Sequence, residues 1–175
     1  EGQSVSVAAM FRRDAANKYL IVMLKPDADR GKGYLKVDNN LWLYDPVARR
    51  YSVTSAKDRF QNSSARNSDF TRSNLAAEYR IGKSTQVTLG KFDCQLLELE
   101  ARSEAVTFPL RKIWVSTDNL IRKIEDYSLS RQLLRSTAIP SYQKIGERYV
   151  PLAMVIVDEL RGKKINGTLV KEKTQ

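Results

Sequence analysis

The sequence has no histidine and a single cysteine, Cys94, among its 175 residues. Histidine is the commonest general base in enzymes and the commonest transition-metal ligand, so its absence removes both roles. One cysteine excludes an intrachain disulfide, a Cys-His dyad and a cysteine-rich zinc site. No serine lies in a Gly-x-Ser-x-Gly elbow. The residues therefore predict no enzyme activity, no catalytic residue, no metal site and no cofactor.

Long hydrophobic runs are also missing. The longest, YLIVML (19–24) and VPLAMVIV (150–157), fall short of the roughly 18 to 20 residues that span a bilayer. The composition, 42% hydrophobic and 29% charged, is that of a globular chain without linkers, which favours one domain over residues 1–175. Because the sequence starts at Glu1 with no leader and stops at Gln175, we expect a domain trimmed at both ends.

The formal net charge of +10 invites a nucleic-acid hypothesis. The dibasic pairs, such as Arg12-Arg13 and Arg122-Lys123, are scattered along the chain, however, and no basic helix or arm is present. We therefore predict no specific nucleic-acid partner. If the fold gathers the dibasic pairs on one surface, an anionic membrane surface is as suitable a partner as a nucleic acid. The adjacent carboxylates Glu125 and Asp126 should point to opposite faces of a strand and are expected to be solvated.

The dominant period of the sequence is two, which is typical of strands. In SVSVAAMF, for example, Ala9 and Phe11 fall on one face. Further strand-like stretches follow at hairpin spacing, about eleven in all, separated by turn residues such as Asp118-Asn119, Gly146 and Arg161-Gly162. The pattern predicts a mainly β protein built as an antiparallel meander.

The stretch DNNLWLYDP (38–46) departs from strict alternation. Leu41, Trp42, Leu43 and Tyr44 are all apolar or aromatic, although successive strand residues point to opposite faces. Both faces of this strand must therefore be covered. A second protein layer, a membrane, a partner chain and an apolar ligand are the alternatives.

Strand periodicity stops in residues 56–84, where Leu75, Ala76 and Tyr79 fit one face of a short helix. A break of this length in a meander is usually functional or covering structure. The segment is predicted to be a loop and helix insertion that covers the sheet. It either plugs the core or acts as a movable lid, with Phe60, Phe70, Leu75 and Tyr79 as its apolar contacts.

Three stretches in order resemble one family. DNNLWLYDP, RKIWVSTDNLIRKIEDYS and SYQKIGERYVPLAMVIVDEL are similar to motifs of the bacterial outer-membrane lipoprotein-sorting proteins, the LolA/LolB-like group. The resemblance implies a curved antiparallel sheet that forms an unclosed β-barrel, with a few short helices covering its concave face. The amphipathic N-terminal helix of that family does not precede SVSVAAMF, and a lipid-anchoring cysteine would lie outside these residues.

The resemblance also implies a function and a site. The chain would be a non-enzymatic carrier or chaperone for the acyl chains of a lipoprotein or phospholipid, located in the periplasm or cell envelope. The alternative is a basic envelope protein whose sheet is a platform for an anionic polymer or a partner protein. Eleven residues are predicted to line the apolar concavity: Leu35, Val37, Leu41, Trp42, Leu43, Tyr44, Ile113, Val115, Leu152, Met154 and Ile156.

Overall fold

The structure, a computed structural model, describes residues 6–61, 63–71, 74–165 and 168–174. The chain divides into two compact units. The first takes in the residues up to Arg59 and the stretch from Arg66 to Ser73; the second takes in Phe60–Ala65 and everything from Asn74 onwards. This division leaves the expectation of a single domain over residues 1–175 as a prediction.

The first unit contains one antiparallel sheet whose strands are hydrogen-bonded in chain order. They are β1 (Val7–Arg13), β2 (Lys18–Lys25), β3 (Gly33–Val37), β4 (Asn40–Asp45) and β5 (Arg50–Thr54). The DNN stretch (38–40) forms the turn between β3 and β4, where Asp38 has a φ of 53°, because asparagine and aspartate tolerate this left-handed region. The meander predicted for this half of the chain is confirmed.

One face of this sheet is the core of the first unit. Tyr19, Ile21 and Met23 alternate along β2 and are at most 5% exposed, and Tyr34 and Leu41 are buried beside them. Part of the segment after β5 packs on this face, because the Tyr19 hydroxyl donates to the Asn67 carbonyl at 3.4 Å. Asn67, itself 2% exposed, donates through Nδ2 to the Ser55 carbonyl at 2.8 Å.

The second unit contains the helix α1 (Leu75–Glu78) and a seven-stranded antiparallel sheet. The strands are β6 (Tyr79–Leu89), β7 (Phe92–Ala101), β8 (Leu110–Ser116), β9 (Ile121–Tyr127), β10 (Leu133–Ile145), β11 (Arg148–Ile165) and β12 (Thr168–Thr174). Their order is β12-β11-β10-β9-β8-β7-β6, so this sheet, like the first, ends in two edge strands and is not closed on itself. The prediction of a mainly β architecture with unclosed antiparallel sheets and few short helices is confirmed.

Three boundaries differ from the sequence prediction. Strand β6 begins at Tyr79, inside the segment expected to be loop and helix. The stretch TQVTLGKF (85–92) has the pattern of one continuous strand, but a turn at Gly90 divides it between β6 and β7. The φ of 58° at this residue suits glycine, which has no Cβ. The turn expected at Arg161-Gly162 is wrong, because β11 continues to Ile165 and the register with β12 shifts between Asp158 and Gly162. An irregularity in the strand thus accommodates the glycine.

The core of the second unit combines an apolar cluster with buried ions. Tyr79, Leu99 and Ile113 form the cluster, and Leu75 of α1 packs against it. Beside it, the fully buried carboxylate of Asp126 accepts from Arg111 Nε at 2.7 Å and from Arg135 Nη2 at 2.8 Å. The expectation that Asp126 is solvated is therefore wrong. Glu125, on the opposite face as predicted, pairs instead with Lys123 at 2.6 Å.

Aromatic rings complete the surroundings of these arginines. The Arg111 guanidinium lies 5.2 Å from the ring centroid of Tyr79, and that of Arg135 lies 4.6 Å from the ring of Phe108. The Tyr79 hydroxyl donates to the Phe108 carbonyl at 2.9 Å. Cation and ring attract each other more strongly when both are desolvated, so the apolar cluster and the ionic cluster stabilise one another.

No helix in the part of the chain that the structure describes is long and apolar enough to cross a membrane.

Replacing Asp126 with alanine should destabilise the protein by about 3 to 5 kcal/mol, because Arg111 and Arg135 would be left buried without their counter-ion. The matched control is Glu100→Ala, which removes the exposed pair that Glu100 makes with Arg80 at 2.6 Å and should cost less than about 1 kcal/mol. Urea unfolding followed by circular dichroism measures both. Similar losses for the two variants would contradict the structural role given to Asp126.

Alkaline pH should weaken the fold through the two buried tyrosines. Burial raises the pKa of Tyr19 and of Tyr79 to about 12, from 10.0. Between about pH 10 and about pH 12 the unfolded chain releases protons that the folded chain retains, so the free energy of unfolding falls as pH rises. Below that window both states are protonated and these groups contribute no pH dependence. Urea midpoints measured across the window should decrease, and less steeply for Tyr19→Phe; an unchanged slope in that variant would contradict the assignment.

Candidate ligand-binding face

The strand register aligns apolar side chains across the whole first sheet. Phe11 pairs with Leu20, Leu20 with Leu35, Leu35 with Trp42, and Trp42 with Val53. Directly opposed residues in a sheet share a face, so this row runs across all five strands on one side. A second row on the same side joins Ala9, Val22, Gly33, Tyr44 and Tyr51.

We call this side the Trp42 face. It is defined by Phe11, Leu20, Val22, Leu35, Val37, Trp42, Tyr44, Tyr51 and Val53. Four of these side chains are exposed, namely Phe11 (62%), Leu20 (36%), Tyr51 (63%) and Val53 (81%), and the other five are half-buried. Apolar residues scattered singly on a surface need no explanation, but a contiguous exposed patch marks an interaction site.

The opposite side of the same sheet holds Leu41 and Leu43. Leu41 is buried and Leu43 half-buried, on the side where Tyr19 and Tyr34 form the core. The two pairs in LWLY thus have different surroundings: Leu41 and Leu43 meet the protein interior, and Trp42 and Tyr44 lie on the apolar side that is partly open. Of the six site residues predicted in this sheet, the structure brings Leu35, Val37, Trp42 and Tyr44 together.

The end of β4 is fixed by its turn. Asp45 accepts hydrogen bonds from the backbone N–H groups of Ala48 and Val47, at 3.0 and 2.8 Å, and these lower the pKa of its carboxyl group. The turn sets the register in which Tyr44 opposes Tyr51, with ring centroids 4.9 Å apart and planes tilted by 42°. Tilted aromatic pairs of this kind are favourable, so the β4–β5 edge of the Trp42 face has a defined shape.

Basic residues lie at one end of the Trp42 face. Arg13 pairs with Lys18, which pairs with Val37 in the next strand, so both cations stand in the row beside Leu20 and Leu35. Both are exposed. An apolar surface with cations at one end matches the two parts of an anionic amphiphile.

The predicted site residues of the second unit have mixed surroundings. Ile113 belongs to the core cluster, and Val115 packs against that cluster. Along β11 the exposed fraction rises from 4% at Ile156, through the half-buried Met154, to 67% at Leu152. The register nevertheless aligns Ile113 with Ile156 through Ile124 and Thr137, and Val115, Met154 and Leu152 alternate with these two residues. The five residues therefore share one face of the sheet, buried at its centre and exposed towards the start of β11.

The four residues predicted to form a lid are divided between the two units. Phe70 lies in the first unit, at the end of the 3-10 turn Asn67–Phe70, whereas Phe60 lies in the short stretch that joins the second. Leu75 packs on the core cluster and Tyr79 is part of it, at 4% exposed. Leu75 and Tyr79 thus stabilise the core of the second unit in this structure.

The second unit also has a hollow of about 570 Å³ near the β6–β7 and β8–β9 turns. Its lining includes Gln86, Thr88, Asp93, Asn119 and the buried Cys94. Most of the lining residues are polar, and the described residues include no cluster of three or more His, Cys, Asp or Glu side chains that could hold a metal ion.

Sequence reasoning missed five residues of the Trp42 face: Phe11, Leu20, Val22, Tyr51 and Val53. Period two was visible in SVSVAAMF and in RRYSVTS, and it placed Phe11 on a face with Ala9. The missing information was the register, which decides whether those faces coincide with the face of Trp42.

Comparison with known proteins identifies a family and a fold. A family model described as "Uncharacterized protein" matches residues 15–171. No curated protein matches the chain in sequence.

Among the solved structures that match, three resemble the chain over most of its length. A LolA superfamily protein from Nitrosomonas europaea has a TM-score of 0.77 at 20% identity, over 100% of this chain and 78% of that one. A structure described as an outer membrane lipoprotein-sorting protein domain, from Vibrio parahaemolyticus, has a TM-score of 0.79 at 16% identity, over 89% and 72%. A DUF1329 family protein from Desulfovibrio piger has a TM-score of 0.71 at 21% identity, over 87% and 69%.

These similarities confirm the resemblance inferred from DNNLWLYDP and the two later motifs. At 16 to 21% identity these structures establish the fold of the chain. They do not establish its ligand, because one fold can serve different functions. The chain belongs to the family whose model spans residues 15–171, and its fold is that of the LolA superfamily.

Proposed function

We propose that the chain is a non-enzymatic carrier that binds the acyl chains of a lipoprotein or phospholipid on its Trp42 face, in the cell envelope. The observation that carries the proposal is the apolar row from Phe11 to Val53, which crosses five strands and is exposed at both ends. The lipoprotein-sorting description of a structure with the same fold supports the ligand class and the location.

The dimensions of the Trp42 face suit acyl chains. With strands about 4.8 Å apart, the row from Phe11 to Val53 is about 19 Å long, similar to an extended palmitoyl chain. The apolar rows of Trp42 and Tyr44 run side by side about 7 Å apart, with room for one acyl chain along each row. The face therefore accommodates two chains side by side.

An open face favours ligands with more than one chain. Enclosing about fourteen methylenes would gain about 11 kcal/mol, and an open sheet covers only about half of that surface, for about 6 kcal/mol. Association removes at least about 4 kcal/mol, which leaves a single chain weakly bound. Two chains gain about 12 kcal/mol and bear the association cost once, so the remaining 8 kcal/mol corresponds to about micromolar affinity.

The cations near Val37 give the ligand a direction. Arg13 and Lys18 lie at one end of the Trp42 face. A negatively charged phosphate head group placed there would lie close to two positive charges in a partly apolar environment. Exposed apolar and exposed basic groups on one face also suit a platform for an anionic polymer or a partner protein, which is the alternative. Uptake of lipid by the isolated protein separates the two.

Replacing Trp42 with aspartate should weaken binding of a fluorescent diacyl phospholipid at least about tenfold, because an unpaired charge would lie against the acyl chains. The matched control is Trp114→Asp, which makes the same change in the second unit, where Trp114 lies 4.8 Å from Lys123 Nζ. Circular dichroism checks that both variants are folded. Equal losses in the two variants would count against the Trp42 face, and a folded wild type that takes up no lipid would favour the platform.

Fluorescence can report contact with the ligand directly, since the chain has two tryptophans. In Trp114→Phe the remaining fluorescence comes from Trp42, and a phospholipid with brominated acyl chains should quench it saturably. In Trp42→Phe the remaining fluorescence comes from Trp114, and we expect little quenching. Equal quenching in the two variants would contradict the proposed location.

The number of acyl chains should decide affinity. A phosphatidylglycerol with two chains of about fourteen carbons should bind at least about a hundredfold more tightly than its lysophospholipid with one such chain, because the second chain adds about 6 kcal/mol on a half-covered surface. Saturable quenching of the remaining tryptophan in Trp114→Phe by brominated forms of both lipids measures the two affinities. Equal affinities would show that only one chain contacts the protein.

A further inference from the structure

The β10–β11 hairpin extends beyond its neighbours in the second sheet. Among the described pairings, β9 opposes β10 only between Leu133 and Ala138, and β12 opposes β11 only from Ile156 onwards. From Tyr142 to Ile145, strand β10 pairs with Pro151 to Arg148 of β11. The tip is therefore a ribbon two strands wide, closed by a turn at Gly146 with a φ of 59°.

This tip, which we call the hairpin arm (residues 143–152), exposes apolar side chains on a ribbon with no covering strand in the described part of the sheet. Ile145 is 58% exposed, Tyr149 51%, Val150 45% and Leu152 67%. Apolar sequence runs without interruption from Val150 to Val157, so the arm continues the apolar surface that is buried at Ile156. A water-exposed hairpin would instead alternate with polar residues.

Basic side chains border the apolar ones at the turn. Lys144 and Arg148 are exposed on either side of Gly146, and Lys144 Nζ lies 5.9 Å from the ring centroid of Tyr149. The whole chain carries a net charge of +10. Segments that combine aliphatic residues, a tyrosine and flanking cations bind at the interface of an anionic bilayer.

A protein partner fits these observations less well. Specific protein interfaces bury at least about 1,000 Å² with one continuous face, whereas four apolar side chains on a ribbon two strands wide offer less area than that. A lipid surface can surround a narrow ribbon on both sides, which matches an apolar run that lacks alternation.

We infer that the hairpin arm is a membrane-docking element, which inserts Ile145, Tyr149, Val150 and Leu152 into the interface of an anionic lipid surface. Lys144 and Arg148, which pair with Tyr149 and Ile145 at the tip, reach the anionic head groups through their long side chains. This goes beyond acyl-chain binding on the Trp42 face, because the arm belongs to the other sheet and contacts the bilayer as a surface.

Cosedimentation with vesicles tests the inference. The wild-type protein should bind vesicles of phosphatidylglycerol and phosphatidylcholine, bind pure phosphatidylcholine vesicles more weakly, and lose affinity at high salt. Ile145→Asp should reduce partitioning about tenfold, since a carboxylate would have to enter the apolar layer. Leu129→Asp is the matched control, because Leu129 is 80% exposed after β9, outside the arm, and its substitution should leave partitioning unchanged.

Two further variants make the outcome decisive. Val150→Asp repeats the test at a second position of the arm in case Ile145→Asp is poorly folded. Lys144→Glu combined with Arg148→Glu should abolish the preference for anionic vesicles. Absence of binding by the wild type, equal partitioning of the arm variants and Leu129→Asp, or an unchanged lipid preference in the charge variant would each overturn the inference.

The inference and the carrier proposal can fail separately. Ile145→Asp should retain binding of a soluble diacyl phospholipid, because the Trp42 face lies in the first sheet. If Ile145→Asp loses vesicle binding and keeps the soluble ligand, the arm is a docking element. If it loses both to the same extent as Trp42→Asp, the arm has no separate role and the inference is wrong.

Discussion

The pleat of the first sheet is the constraint from which the rest follows. Successive residues of a strand lie on opposite faces, so the apolar stretch Leu41-Trp42-Leu43-Tyr44 forces the sheet to have two apolar sides. One side is satisfied by the protein itself, where Tyr19, Ile21 and Leu41 are at most 5% exposed. The other side, the Trp42 face, is left with exposed apolar area, and this imbalance is the physical basis of the binding site that we propose.

The two sheets fill their buried faces with different kinds of side chain. The first buries one face with aromatic and aliphatic side chains and with Asn67 from the following segment. The second buries a carboxylate between Arg111 and Arg135, with the rings of Tyr79 and Phe108 against the two guanidinium groups. Losing any one of these partners would leave a buried charge uncompensated, so the second sheet depends on Arg111, Asp126 and Arg135 together. The first sheet, lacking such a cluster on the Trp42 face, keeps an open apolar surface.

Binding on an open sheet has a consequence for the ligand. A closed cavity would enclose one chain tightly, but a face that covers only one side of a chain gains enough free energy only from several chains. Lipoproteins and phospholipids have several chains and fatty acids have one. The preference would follow from surface area, without any hydrogen bond that recognises the ligand, and moderate affinity is compatible with release to an acceptor.

The sequence by itself determined the local properties: strand periodicity, turns at Asp38, Asn119 and Gly146, the absence of histidine, and the apolar character of both sides of LWLY. These depend on neighbouring residues and on intrinsic conformational preference. The tertiary structure alone decided that Phe11, Leu20 and Val53 join Trp42 on one face, and that Asp126 is buried. Both results depend on strand register and on partners distant in sequence, and a shift of one residue would have moved each side chain to the opposite face.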